Sequence, residues 1–233
     1  MPSLRFLSVL VALSVTPLSG AETSRDVQAP PRLVFLSSTL LDTYAGEYQY
    51  SESTVMHVAR ADDHLAIRFT GQPTAGAVYP QSRSTFFYLE MGSDAKIEFN
   101  ATSAVLRQNG AATRMARIDA DKARQIEEQV SKRVEQQAPH SLSEAALREF
   151  MASIMAGRIE ANRLSPQLVG ALGKDLPKLQ LRLVTLGVPM TVRLKEVSPT
   201  GSDEYEVTHE HGVSEWGVVV DSQGVITGAS VPF

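Results

Sequence analysis

The chain has 233 residues, of which 43% are hydrophobic and 21% charged, so it is long enough for one large or two small domains with ordinary cores. Its formal net charge is −4, and no cluster of lysine and arginine follows a helix or a strand, so the sequence predicts no nucleic-acid partner. It contains no cysteine, which excludes disulfides, a thiolate nucleophile, cysteine-bound metals and a lipid-modified cysteine.

The N-terminus has the pattern of a secretory signal peptide. Arg5 precedes an apolar run over residues 6–18 that is too short to span a bilayer, and small residues lead up to Ala21. We therefore predict a signal peptide over residues 1–21, cleaved after Ala21, and a lead-in segment over residues 22–39. The mature protein is then periplasmic or secreted, carries no membrane span and is not a lipoprotein.

Residues 40–118 consist of short strand-like runs separated by tight turns. Leu65, Ile67 and Phe69 alternate with smaller or polar side chains, the pattern of a half-buried strand. Asn109-Gly110 is the strongest hairpin signal in the chain. A succession of about seven or eight such runs predicts an antiparallel β-barrel, because closing the meander removes its exposed edges.

A connector helix is predicted over residues 119–140. The first nineteen positions of this segment, up to Gln137, contain neither glycine nor proline. A narrow apolar stripe at helical spacing indicates that one face of the helix is buried; its members are Ala123, Ile126, Val130 and Val134.

The last segment, residues 141–233, changes from helical to strand-like patterns. Leucine-rich helical stretches come first, with a predicted break at Gly173 and Pro177. Four strand-like runs close the chain, which predicts an α+β domain whose helices cover one face of a four-stranded antiparallel meander. The predicted fold class is therefore mixed, with a β-barrel followed by a connector helix and an α+β domain.

Several short motifs of the first segment occur together in a known type of domain: Leu41-Asp42 with Tyr44, Gly46 and Tyr48, the turn Thr70-Gly71-Gln72-Pro73, the strand Phe86-Phe87 and the hairpin Gln108-Asn109-Gly110. They resemble a lipocalin-like domain of unassigned function. That domain is usually found C-terminal to serine hydrolases of the penicillin-binding-protein and β-lactamase type.

The segment from Ser143 onward resembles a second uncharacterised module that often follows the first. The motifs that carry this resemblance are Glu204-Tyr205-Glu206-Val207, Glu215-Trp216 and Asp221-Ser222-Gln223-Gly224. Nearly the whole mature chain therefore resembles the tail of a hydrolase without the hydrolase. The resemblance implies a role in domain packing, oligomerisation or shaping access to a neighbouring active site, and it carries over no catalytic residue.

No arrangement of residues predicts catalysis. A Ser-x-x-Lys spacing occurs at Ser93 and Lys96, but it spans a turn that Gly92 introduces. The chemistry requires the two side chains one helical turn apart, so that the amine can take the hydroxyl proton. We therefore predict no enzyme activity, no catalytic residue and no cofactor.

His209 and His211 are the candidate metal ligands. On one strand, residues two apart point to the same face, and two imidazoles on one face can share a metal ion. A third ligand would have to come from elsewhere in the chain. The alternative is that both histidines cap the end of the core and reach solvent.

Aromatic side chains are the candidate ligand-binding residues. Tyr48, Phe86 and Tyr88 belong to the barrel segment, and Trp216 to the second domain. An eight-stranded barrel holds either packed side chains or one small ligand, and Trp216 either belongs to a core or lines a pocket.

Two functions follow from these observations. The first is an exported, non-catalytic accessory module that binds a partner enzyme, for example a periplasmic serine hydrolase, or associates with itself. The alternative is a periplasmic binder of a small apolar ligand, and an unrecognised hydrolase is a third hypothesis.

Overall fold

The computed structural model describes residues 33–88, 95–108 and 110–232, apart from the side chain of Lys174. The predicted signal peptide, most of the lead-in segment, Ser93 and Asn109 lie outside the described residues. The predicted fold class is confirmed, because a closed eight-stranded antiparallel barrel is followed by helices and a separate four-stranded antiparallel sheet.

The barrel strands follow one another in chain order, and the first strand pairs with the last. Their bounds are β1 Gly46–Ser51, β2 Thr54–Ala61, β3 His64–Phe69, β4 Gly76–Pro80, β5 Thr85–Tyr88, β6 Lys96–Phe99, β7 Ser103–Gln108 and β8 Ala111–Ile118. Residues 33–36 of the predicted lead-in segment form no strand, although the Val34 amide donates a hydrogen bond to the Pro80 carbonyl at 3.0 Å.

Helix α1, Ser38–Tyr44, packs against the barrel core. The Ser37 hydroxyl caps its first turn by accepting from the Leu40 amide. Leu41 and Tyr44 are buried among the side chains of the barrel interior. The Tyr44 hydroxyl also donates to the Arg83 carbonyl at 2.9 Å, which fixes the helix to the β4–β5 turn.

Helix α2, Ala120–Gln136, contacts both the barrel and the second sheet. Ala123 and Ile126 are buried with Val55 on the outer face of the barrel. At the other end of the helix, the side-chain amide of Gln137 pairs with both backbone groups of Val197, accepting from its N–H and donating to its carbonyl. The predicted connector helix therefore lies between the two units and contacts both of them.

The second unit contains α3, Ser143–Met155, and α4, Pro166–Leu186. The predicted break at Gly173 and Pro177 is wrong, because α4 runs unbroken through both residues. Proline costs a helix one backbone hydrogen bond and crowds the carbonyl four residues before it, which here belongs to Gly173. Tertiary packing outweighs that cost, since Leu172 and Leu179 on either side of Pro177 are both buried in one core.

Four strands complete the chain: β9 Pro189–Val197, β10 Asp203–His209, β11 Gly212–Val220 and β12 Ile226–Ser230. Each strand pairs with the next, so β9 and β12 are the edges of the sheet. The inner face of the sheet and the helices share one apolar core that includes Leu147, Leu183 and Trp216.

The barrel and the second unit touch where α4 approaches β8, and also at two turns. Gly71, in the β3–β4 turn, lies against the backbone of Pro199 and Thr200 in the β9–β10 turn. Elsewhere the carboxylate of Glu52 accepts from both the amide and the hydroxyl of Ser222, each at 2.8 Å. Among the described helices, none is long and apolar enough to cross a membrane.

Candidate functional site

The predicted ligand-binding residues of the barrel lie inside its core. Tyr48 and Phe86 are fully buried, and Tyr88 is 7% exposed. Phe99 lies edge-on to both Tyr48 and Phe86, with ring centres 5.6 and 5.4 Å apart. The Tyr48 hydroxyl donates to the Tyr44 carbonyl at 2.8 Å, and burial raises the pKa of this phenol. These aromatic residues pack against one another, and ligand binding by them stays a prediction.

The two candidate metal ligands do not share a face. Strand β10 ends at His209, whose side chain is buried, whereas His211 lies in the turn and is exposed. Both ring nitrogens of His209 already have protein partners, the Gly187 carbonyl at 3.1 Å and the Ser214 hydroxyl at 2.7 Å. Among the described residues, no group of three or more His, Asp or Glu side chains is placed to hold a metal ion.

Trp216 belongs to a buried hydrogen-bond chain with the same histidine. Its indole N–H donates to the Ser214 oxygen at 2.7 Å. A neutral His209 that carries its proton on Nδ1 can donate this proton to the Gly187 carbonyl and accept the hydroxyl proton of Ser214 on Nε2. A serine beside a histidine is also the arrangement of a catalytic dyad. Here Ser214 is 3% exposed and His209 is 3% exposed, so a substrate has no access to the pair and its role is structural.

A second buried polar network joins α2 to β10. Asp203 is 1% exposed and accepts hydrogen bonds from the guanidinium of Arg133 and from the backbone N–H of His140. Burial raises the pKa of Asp203, although its hydrogen bonds and Arg133 act in the opposite direction. Beside it, Ser143 and Tyr205 share a hydrogen bond of 2.7 Å between their hydroxyls. These contacts fix the start of α3 and the end of α2 to the sheet.

A shallow pocket lies between α3 and the β11–β12 turn. Phe150, Leu164 and Ile226 form part of its wall, and an ion pair between Arg163 and Glu149 lies at its rim. Its free volume is about 10 Å³, which is the space of a single water molecule. Drug-sized ligands occupy pockets of several hundred cubic ångströms, so this pocket does not suit one.

The most unusual surface of the described chain is apolar and lies where α4 meets β9. Leu181, Val184, Val188 and Met190 are 70%, 55%, 57% and 66% exposed, and we call these four residues the α4–β9 surface. Leu181 and Val184 project from α4 on a side different from Leu179 and Leu183, which are buried.

The α4–β9 surface adjoins an open sheet edge, because β9 pairs with β10 alone. At one end of this edge, the Gln137 side chain forms hydrogen bonds with the backbone N–H and carbonyl of Val197. Two basic side chains, Arg193 and Lys195, project from β9 and form ion pairs with Glu206 and Glu215. Basic side chains on an edge strand disfavour pairing with further strands.

Sequence reasoning missed this surface. The buried stripe of α4 explains the leucines at helical spacing, and Leu181 and Val184 fall outside that stripe. The available signal was a second apolar pair on α4, Leu181 and Val184 at a spacing of three residues, followed by Val188 and Met190 just beyond the end of the helix.

Comparison of this chain with protein-family models, with curated proteins and with solved structures finds no match. The resemblance to the tail of serine hydrolases therefore stays a prediction, which rests on the motifs quoted above.

Proposed function

We propose that this chain is an exported, non-catalytic accessory module that docks onto a partner protein through the α4–β9 surface. The observation that supports this function is the grouping of four large apolar side chains, each at least 55% exposed, within residues 181–190. Single exposed apolar residues are ordinary, whereas contiguous groups of them mark interaction sites.

Burial of this surface would supply part of the free energy that binding a partner requires. Covering a side chain of this kind contributes about 1.5–3 kcal/mol when burial is complete, and roughly half of that from a half-exposed start. Leu181, Val184, Val188 and Met190 together would therefore contribute about 3–6 kcal/mol before the costs of association are subtracted. Such a surface can form the centre of an interface whose rim adds polar contacts.

The edge strand favours a different protein over a second copy. If two copies paired antiparallel along β9 in a register centred on Leu194, Arg193 of each copy would lie opposite Lys195 of the other. Like charges directly opposite each other destabilise a strand pair. Because the motifs of the chain resemble the tail of serine hydrolases, we propose a serine hydrolase of the same compartment as the partner.

Co-purification from the native host tests this function. The tagged protein and its Leu181→Arg variant are recovered under mild conditions, and bound proteins are treated with a broad serine-reactive probe. We expect a probe-labelled protein with the wild type and at least a tenfold loss of it with Leu181→Arg, since a charge in a desolvated interface costs more than 1.4 kcal/mol. The chain itself should not be labelled.

Phe35→Arg is the matched control. Phe35 is 87% exposed and lies outside the α4–β9 surface, so the substitution introduces the same charge on the same kind of exposed side chain. Recovery of the partner should be unchanged. Equal recovery with the wild type and Leu181→Arg would refute docking through this surface, and labelling of the chain by the probe would refute the non-catalytic role.

A further inference from the structure

Beneath α2, the outer face of the barrel carries a row of charged side chains. Glu47, His57 and Arg68 are cross-strand neighbours on β1, β2 and β3. His57 Nδ1 lies 2.6 Å from Glu47 Oε2, and its Nε2 lies 2.8 Å from Oε1 of Glu127 on α2. Arg68 Nη2 lies 3.8 Å from the same oxygen of Glu127. We call these four residues the α2 clamp.

The two contacts of the imidazole are favourable at the same time only when the ring is charged. Glu47 Oε2 and His57 Nε2 are buried, and neither makes a well-aligned hydrogen bond, so their close contacts depend on charge. A neutral imidazole carries a lone pair on one nitrogen, and that nitrogen would face a carboxylate. The imidazolium presents N–H to both carboxylates, and together with Arg68 it balances their two negative charges.

We infer that the α2 clamp is a pH-sensitive contact, which holds α2 tightly on the barrel while His57 is charged and loosens when the ring loses its proton. Imidazole is the side chain that ordinarily changes charge between about pH 5 and pH 8. The contact is therefore tighter in mild acid and weaker as the pH rises.

Loosening at the clamp would reach the second unit, because α2 is held at both of its ends. The clamp lies in the first half of the helix, at Glu127. Arg133, in its last turn, binds Asp203 and the Gly201 carbonyl, while Val130 lies against Gly201. The same helix thus anchors the barrel to the β9–β10 turn, so the charge of one histidine influences how firmly the two units are joined.

Hydrogen exchange of the α2 amides tests this inference. Protection factors, which are corrected for the pH dependence of exchange itself, are compared at about pH 5.5 and about pH 7.5. We expect protection of α2 in the wild type to be roughly fivefold greater at the lower pH, the effect of strengthening two partly buried ion pairs. In His57→Gln, which cannot become charged, protection should not change with pH.

His64→Gln is the matched control, because His64, the first residue of β3, also contacts a carboxylate, that of Asp63 at 3.1 Å, but this carboxylate is not on α2. It should keep the pH dependence of the wild type. Glu127→Gln removes the carboxylate on α2 alone and should reduce the dependence. Equal protection of wild-type α2 at both pH values, or an unchanged dependence in both His57→Gln and Glu127→Gln, would overturn the inference.

Discussion

The turn at Gly71 offers the sharpest test of how the barrel is joined to the second unit. Gly71 has a φ of +74°, in the left-handed region that favours glycine. A Cβ at this position would lie 2.6 Å from both the carbonyl carbon of Pro199 and the Cα of Thr200, and closer still to the Pro199 oxygen. All three atoms belong to the backbone, so no side chain can rotate away and the two turns must separate.

The substitution Gly71→Ala therefore carries two costs. The left-handed conformation costs an alanine about 1 kcal/mol. Overpacking against a fixed neighbour costs about 1–3 kcal/mol more. We expect the free energy of unfolding to fall by about 2–4 kcal/mol in total.

Gly110→Ala separates the two costs. Gly110 has a φ of +76°, almost the same as Gly71, but a Cβ there would have no neighbour within 4 Å. This control should lose only the conformational part, about 1 kcal/mol.

Urea denaturation measures both variants, with far-UV circular dichroism for the whole chain and fluorescence of Trp216, the single tryptophan, for the second unit. Equal destabilisation by Gly71→Ala and Gly110→Ala would refute the close contact between the turns.

Two further predictions concern buried polar groups. Ser214→Ala leaves His209 and Trp216 without their shared partner, so it should cost about 2–3 kcal/mol by urea denaturation, and a cost below about 0.5 kcal/mol would contradict the network. Burial raises the pKa of the Asp203 carboxyl above its value in the unfolded chain. The protonated carboxyl therefore stabilises the fold in acid, and this contribution is lost as the pH rises through the raised pKa. The stability of the wild type relative to Asp203→Asn should therefore fall as the pH rises above the ordinary pKa of an aspartate, about 3.9, and a difference that grows with pH would contradict this sign.

Local signals explain why the strands of the barrel could be predicted. Tight turns and alternation with a period of two are properties of neighbouring residues. For example, Leu65, Ile67 and Phe69, which alternate in the sequence, are the buried residues of β3. The pairing of β1 with β8, which closes the barrel, joins Glu47 to Ile118. These residues are far apart in the chain, so no pattern of neighbouring residues predicts their pairing. Closure was predicted from the need to remove open edges, which is a general physical argument.

The error at Pro177 and the missed clamp have a common origin, since both depend on tertiary contacts. The sequence marks Pro177 as a helix breaker, but the buried leucines on both sides keep α4 continuous. The sequence shows no partner beside His57, because Glu47 lies on a neighbouring strand and Glu127 on α2. Glu127 becomes its neighbour only after α2 docks on the barrel, and this docking could not be derived from helical periodicity.

Native mass spectrometry of the protein, purified gently from its own host, tests the central claim most directly. The proposed function predicts a complex whose mass equals this chain plus a second protein, and loss of that complex in Leu181→Arg but not in Phe35→Arg. A mass equal to a multiple of the chain would contradict the choice of a different protein as partner. A monomer that carries the extra mass of a small molecule, or no extra mass at all, would contradict the interaction module itself.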